Sequence, residues 1–296
     1  MRLFWKGLLA AFLTLASSAA ERGEPVSTPQ RQARPTAGFF APSPALTTSS
    51  DGSPADLVQN AQKEFHEFYF TRAIYTDGRR GAMFAPPGDG GPSWSVDFPK
   101  GDLQFTFVVR RLAAMDVYHG HNAVSLTDPN LRRYPFLYAL EVGYMRLTEA
   151  EVQALRSYLM AGGFLVIDDF WGSREWANFE YEIARVLPGR PIVDLPIDHP
   201  LFGIFYQIDE VKQVPGRGDA WNIAMGAPRE YAAQRDGYEP YVRGIFDDRG
   251  QLMVVINANT DLGDAWEWAE DPFYPLDLST FAVQLGINMI MYGMTH

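Results

Sequence analysis

Residues 144–171 read YMRLTEAEVQALRSYLMAGGFLVIDDFW. Thr148 is a natural helix N-cap, and Glu151 three residues later completes a capping box, each side chain bonding the other's backbone N–H. Val152, Leu155, Tyr158 and Leu159 recur at helical spacing and form one apolar face. Gly162-Gly163 ends the helix, because the residue past a helix end commonly takes positive φ, which glycine adopts without a Cβ penalty. Phe164-Leu165-Val166-Ile167 shows no polar alternation, the pattern of a strand buried on both faces. Asp168 and Asp169 follow at once. The stretch is predicted to be half of an α/β unit whose strand ends in two carboxylates.

The pattern extends outward on both sides. Upstream, Glu67 to Tyr75 is aromatic and β-branched, a strand pattern. A helix is expected from Lys100 to Met115, then short apolar strands at Ala123–Leu126 and Phe136–Val142, parted by the turn signal Asp128-Pro129. Between the first strand and that helix, residues 76–93 contain APPGDGGP and form a loop long enough to be functional or disordered. Downstream, a helix fits Glu175 to Val186. Strands are read at Pro191–Leu195, Ile204–Ile208 and Tyr241–Ile256, the last broken by the turn Asp247-Asp248-Arg249-Gly250. A closing helix runs from Leu278 to Tyr292.

The N-terminus carries export signals. Arg2 and Lys6 form a basic n-region, Gly7 to Ala16 an apolar h-region, and Ser18-Ala19-Ala20 a small-residue cleavage site, so residues 1–20 are expected to be a signal peptide. The h-region is shorter than the roughly 20 apolar residues that span a bilayer. Residues 21–56 are rich in Pro, Ser, Thr, Ala and Gly and are expected to be a disordered linker. Residues 57–296 then form a single α/β domain, periplasmic or secreted.

The formal net charge is −11, and cleavage would remove Arg2 and Lys6 as well. Such an acidic surface argues against nucleic acid and anionic membrane as partners. The chain has no cysteine. Disulfides, thiol catalysis and cysteine metal sites are therefore excluded, and the core alone must hold the fold.

Taken together, several segments resemble the bacterial family known as domain of unknown function 4159. They are Arg133-Tyr134-Pro135-Phe136-Leu137-Tyr138, Gly162-Gly163-Phe164-Leu165, Asp168-Asp169-Phe170-Trp171-Gly172, Asp198-His199-Pro200-Leu201-Phe202, Asp261-Leu262-Gly263-Asp264-Ala265-Trp266-Glu267, Gly286-Ile287-Asn288 and Met294-Thr295-His296. The likeness covers residues 66–296. It implies a class I glutamine amidotransferase-like fold: a flavodoxin-like three-layer sandwich with a mostly parallel sheet. In amidotransferases the nucleophilic cysteine sits on a sharp turn after a strand, and here no residue can supply it. A G-x-S-x-G serine elbow is absent too. The resemblance makes AAA-type ATPase and von Willebrand A-like systems possible partners.

Candidate site residues follow from strand-end logic, since open parallel sheets form sites outside the carboxyl ends of their strands. Neighbours on a strand face opposite ways, and Asp169, further from the buried run, is the choice over Asp168. The alternative for this pair is a helix cap or a buried ion pair. His199 lies in the rigid setting Asp198-His199-Pro200 and suits a general base or a metal ligand; a ring bonded to backbone is the plainer reading. Asp261, Asp264 and Glu267 place three carboxylates just after the apolar run Met253–Ile256. Asn257, Asn259 and Asp261 mimic a calcium loop, but Leu262 and Trp268 occupy its glycine and glutamate positions. An EF-hand is excluded, and a looser oxygen-rich ion site with Asp264 and Glu267 stays open. His119 and His121 sit beside Gly120 and Asn122 and read as a surface loop. Trp94, Trp171, Trp176, Trp221, Trp266 and Trp268 fit either packing or a glycan cleft.

Asp169, His199, Asp264 and Glu267 are therefore expected to share one cleft. No cofactor is expected. The leading functional expectation is a binding or assembly module of the cell envelope. The alternative is a hydrolase of an envelope glycan or peptide.

Overall fold

The computed structural model describes residues 65–78, 87–88, 91–228, 234 and 236–296. The expected signal peptide, the linker and residues 79–86, 89 and 90 of the APPGDGGP loop lie outside the described residues. Among the described residues no helix is long and apolar enough to cross a membrane.

Seven strands form one sheet: β1 (Thr71–Ile74), β2 (Asn122–Ser125), β3 (Phe136–Leu140), β4 (Phe164–Asp168), β5 (Val193–Asp194), β6 (Tyr241–Phe246) and β7 (Leu252–Ala258). Their order is β2-β1-β3-β4-β7-β6-β5. The first five in that order are parallel, while β6 and β5 add antiparallel at one edge. Among the described residues six helices accompany them: α1 (Lys100–Leu112), α2 (Glu149–Met160), α3 (Gly172–Val186), α4 (Arg217–Ala224), α5 (Leu262–Glu267) and α6 (Leu276–Thr295).

Because side chains alternate along each strand, the sheet has two apolar faces. Phe136, Tyr138, Val166 and Val255 pack with Phe105 of α1, Trp266 of α5 and Phe281, Leu285 and Ile290 of α6. Leu137, Ala139, Leu165, Ile167 and Ile256 pack with Leu155 and Leu159 of α2 and with Phe179 and Ile183 of α3. Parallel strands covered on both faces are buried throughout, which explains the unbroken apolar runs.

The deciding stretch folds as read. Thr148 accepts from the Glu151 N–H and the Glu151 carboxylate accepts from the Thr148 N–H. Gly162 has φ +96°. Gly163 is needed for a different reason: a Cβ there would collide with the Tyr158 ring.

Three expectations are corrected. The predicted strand Ile204–Ile208 is irregular. Its backbone is satisfied by a side chain instead, Asn288 bonding both the N–H and the C=O of Tyr206. The first strand shrinks to Thr71–Ile74. The carboxylate-rich segment read as a loop is helical: Asp261 caps α5 by accepting from the Asp264 N–H at 2.8 Å.

Candidate functional site

The carboxyl ends of three adjacent parallel strands share one backbone device. Glu141 follows β3 with φ +54°, Asp169 follows β4 with φ +47°, and Asn259 follows β7 with φ +57°. Left-handed backbone at non-glycine residues is uncommon and costs on the order of 1 kcal/mol each. Here the neighbours impose it. The Glu141 N–H donates to the Asp169 carbonyl and the Asn259 N–H to that of Phe170, both at 3.0 Å. A fourth such residue, Asp97, has φ +60° and stands just before α1.

Above these ends lies a cavity of about 410 Å³. Asp97, Glu141, Asp169, Asp261 and Asp264 line it, together with Gly216 to Asp219 and Gln234. Glycine at 216 allows the approach, since a Cβ there would stand 3.2 Å from Asp264 Oδ2 and 3.4 Å from Asp261 Oδ2. Asp97, Asp264 and Glu267 can bring one carboxylate oxygen each within 4.8 Å of one another, close enough to hold a cation.

The electrostatics are one-signed. Burial, then the charges of Asp264 and Asp169, push the Asp97 carboxyl well above its ordinary range. Burial, then Glu141 and Asp168, do the same to Asp169. Burial, then Asp169 and Asp264, do so to Asp261. The nearest buried cation is Arg72, and it is committed elsewhere: Nε and Nη2 bond Asp102 Oδ1 at 2.8 and 2.6 Å. Buried carboxylates that raise each other's pKa mark functional-site candidates.

Asp168 and Asp169 divide the labour. Asp168 points into the sheet face below, where Oδ2 accepts from Tyr138 Oη at 2.5 Å, from Leu262 N at 2.9 Å and from Gly263 N at 3.2 Å. It anchors the start of α5, and burial raises its carboxyl to about 7. Asp169 faces the cavity and accepts from Trp171 Nε1 at 2.9 Å. Asp264 accepts from Arg217 N at 2.6 Å and from Trp268 Nε1 at 3.0 Å.

Of the residues expected to share a cleft, Asp169 and Asp264 line one cavity, Glu267 stands beside Asp97 and Asp264 without lining it, and His199 lies elsewhere. The His199 ring packs on Phe246 and Tyr292, and its Nδ1 accepts from Leu201 N. Phe246 pairs with Leu252 at the start of β7, and Tyr292 packs on Phe164 at the start of β4. A strand the length of β4 or β7 spans roughly 15–20 Å, so His199 stands at the opposite end of the sheet from Asp169, far beyond hydrogen-bond reach. Asn257 turns inward, its Nδ2 bonding the Ile167 carbonyl inside the sheet, in keeping with the rejected calcium loop. Trp94 and Trp266 are buried packing residues, while the buried Trp171 lines the cavity and holds Asp169. His119 and His121 do lie in a loop.

Asp97 was not anticipated. It lies thirty-odd residues before β3 in a segment with no apolar period, and only its place ahead of α1 could have marked it. Glu141 lies within the predicted strand Phe136–Val142, but the strand ends at Leu140 and Glu141 turns away with positive φ.

Fold and cavity define an α/β protein with a seven-stranded, mostly parallel sheet and an acidic pocket at its strand ends. The chain belongs to the family described as domain of unknown function DUF4159, whose profile matches residues 84–294. No curated protein matches it in sequence.

Proposed function

We propose that the protein is an exported binding module of the cell envelope whose strand-end pocket takes up a cationic group, either a metal ion or an organic ammonium. The observation that carries this reading is the buried Asp97, Asp169 and Asp261, with the half-buried Asp264, around one cavity. Like-charged carboxylates in low dielectric destabilise a fold unless they share protons or meet a cation. The parallel order β2-β1-β3-β4-β7 supports a flavodoxin-like, amidotransferase-like architecture with its chemistry lost. Asp169, just past β4 on a left-handed turn, is in the kind of setting, a sharp turn after a strand, in which the resembled fold carries its thiol. Export rests on the n-, h- and c-region pattern of residues 1–20, and partners of the ATPase or von Willebrand A-like kind rest on family resemblance.

Calorimetric titration of the mature chain with calcium, magnesium and manganese, and separately with a lysyl peptide, tests the reading. Binding should release protons, because the acids must ionise to hold the cation. It should be lost in Asp169→Asn and Asp261→Asn. Absence of binding by every probe at millimolar concentration sinks it.

A second reading, hydrolysis of an envelope glycan or peptide, is favoured by the unlike settings of two carboxylates. Asp169 is pushed up by burial and its acidic neighbours, while Asp264 is bonded by two N–H donors. Two carboxylates in such unlike surroundings can divide the roles of acid and base. Turnover of envelope fragments that vanishes in Asp169→Asn would favour this reading over binding alone.

A further inference from the structure

We propose that α4 is a gate over the acidic pocket, latched shut by Arg217 onto Asp264 and Trp268. This rests on reading the cavity as a binding site, but its test requires no ligand, so the two ideas fail separately.

The wall of the cavity opposite the strand ends is the start of α4, Gly216 to Asp219. That wall is weakly packed. Ala220 is the one buried residue of α4, while Trp221 and the following Met225 are 49% and 63% exposed. A segment with so little buried apolar surface opens locally at low cost.

Its attachments are unequal. Just before α4 the chain is tied down: Val214 exchanges hydrogen bonds with Thr260 Oγ1 and Asp261 N, and Tyr274 Oη donates to the Pro215 carbonyl at 2.6 Å. Just after it, Gly226 has φ +98°, a turn that glycine alone takes readily. Between these points polar contacts hold the helix down, and they converge on Arg217. Its N–H donates to Asp264 Oδ2 at 2.6 Å. Its guanidinium lies 4.0 Å from the centre of the Trp268 ring, with Asp271 Oδ2 at 3.5 Å. Lys100 Nζ stands 3.6 Å from the same ring centre, and Trp268 Nε1 bonds Asp264 Oδ1. The latch therefore ends on Asp264, which is itself part of the pocket wall. A cation drawn to Asp264 competes with Arg217 N for the same oxygen, so filling the pocket and releasing the gate are coupled events.

Hydrogen-exchange mass spectrometry on the full chain reads the gate directly. In the wild type, amides of residues 221–225 should exchange at least about 100-fold faster than those of β4 and β7. Arg217→Ala removes the ring contact and the Asp271 pair, and should speed residues 221–225 a further three- to thirtyfold or so, leaving β4 and β7 unchanged. Protection of α4 equal to that of β7, or no change in Arg217→Ala, overturns the proposal. Because the chain has no other thiol, Asp169→Cys adds a second readout inside the pocket. Its reaction with a small disulfide reagent should accelerate by the same factor when Arg217→Ala is added. An unchanged thiol rate beside faster α4 exchange would mean that α4 moves without gating the pocket, and would also overturn it. If Asp169→Cys does not fold, the exchange measurement decides alone.

Discussion

The two ends of the sheet are built from the same strands and obey different rules. At the amino ends the chain follows local preference: Gly162 supplies the left-handed turn, Gly163 gives way to the Tyr158 ring, and His199 packs among Phe246 and Tyr292. At the carboxyl ends preference is overridden. Glu141, Asp169 and Asn259 hold backbone conformations that favour glycine, and Asp97, Asp169 and Asp261 crowd buried charge together. One end is optimised to fold, and the other keeps strain and repulsion that folding alone would remove. A stability difference between the ends is therefore a test of function, and it can be broken experimentally.

The largest effect should come from pH. Asp97, Asp168, Asp169 and Asp261 all have carboxyls raised in the folded chain, Asp168 to about 7. Between the unfolded and folded values the native state binds more protons, so stability falls as pH rises through that window. Their contribution is full below about pH 4 and lost progressively toward and beyond neutrality. The exposed Asp116, Asp236 and Asp247 are shifted down, and their opposite contribution is confined below that window. Extrapolated stability in urea should therefore drop from pH 5 to pH 8, with Asp168 alone contributing about 2–3 kcal/mol and the other three acids adding in the same direction. A flat or rising profile would mean the acidic end is not strained.

Next in size is the amino end. Gly163→Val drives a branched side chain into the buried Tyr158 ring, an overpacking cost of about 3 kcal/mol. Gly162→Val meets no atom within 4 Å, so only its φ matters, at about 1 kcal/mol. Melting curves of the two should therefore be ordered, with Gly163→Val lower by several degrees. Equal curves would remove the distinction between a space-limited and a conformation-limited glycine.

The amino-end elements were legible because each follows from short-range rules. The capping box, the double glycine and the apolar run of β4 are decided within twenty-five residues, and the structure keeps all three. The acidic end was legible only in part. Asp169, Asp264 and Glu267 were marked by following apolar strands, a signal carried by their own neighbours. Asp97 and Glu141 join them through the parallel pairing of β1, β3, β4 and β7 and the docking of α1, contacts that no local pattern encodes. His199 misled for the complementary reason: Asp-His-Pro fixes a rigid loop but does not say which end of the sheet the loop will reach.

Asp169→Asn sharpens the comparison in the opposite sense. The amide keeps an acceptor for Trp171 Nε1 and removes one charge from the crowd. At pH 8 the variant should be more stable than the wild type by about 1–2 kcal/mol, and at pH 5 nearly equal to it. The same exchange at an ordinary buried carboxylate with a cation partner, Asp102 beside Arg72, should destabilise at both pH values. If Asp169→Asn is destabilising at pH 8, the repulsion inferred for the pocket is absent.

The smallest expected effect is the sharpest test of which end matters. His199 caps the short helical turn Pro200–Phe202 by accepting from Leu201 N, and its ring makes only edge and tilted contacts with Phe246 and Tyr292. Burial lowers its pKa below the ordinary value. Its share of stability is therefore present above pH 6.5 and lost as pH falls through the lowered folded value. His199→Ala removes one cap and one partly buried ring, a cost of about 1 kcal/mol at pH 8 that shrinks toward pH 5. Because roughly 15–20 Å of strand separates it from Asp169, the variant should bind any ligand of the acidic pocket with wild-type affinity. Calorimetry of His199→Ala beside Asp169→Asn makes the contrast: the first should change stability a little and binding not at all, the second should abolish binding while raising stability at high pH. Weakened binding in His199→Ala would join the two ends of the sheet into one functional unit and end the division drawn between them.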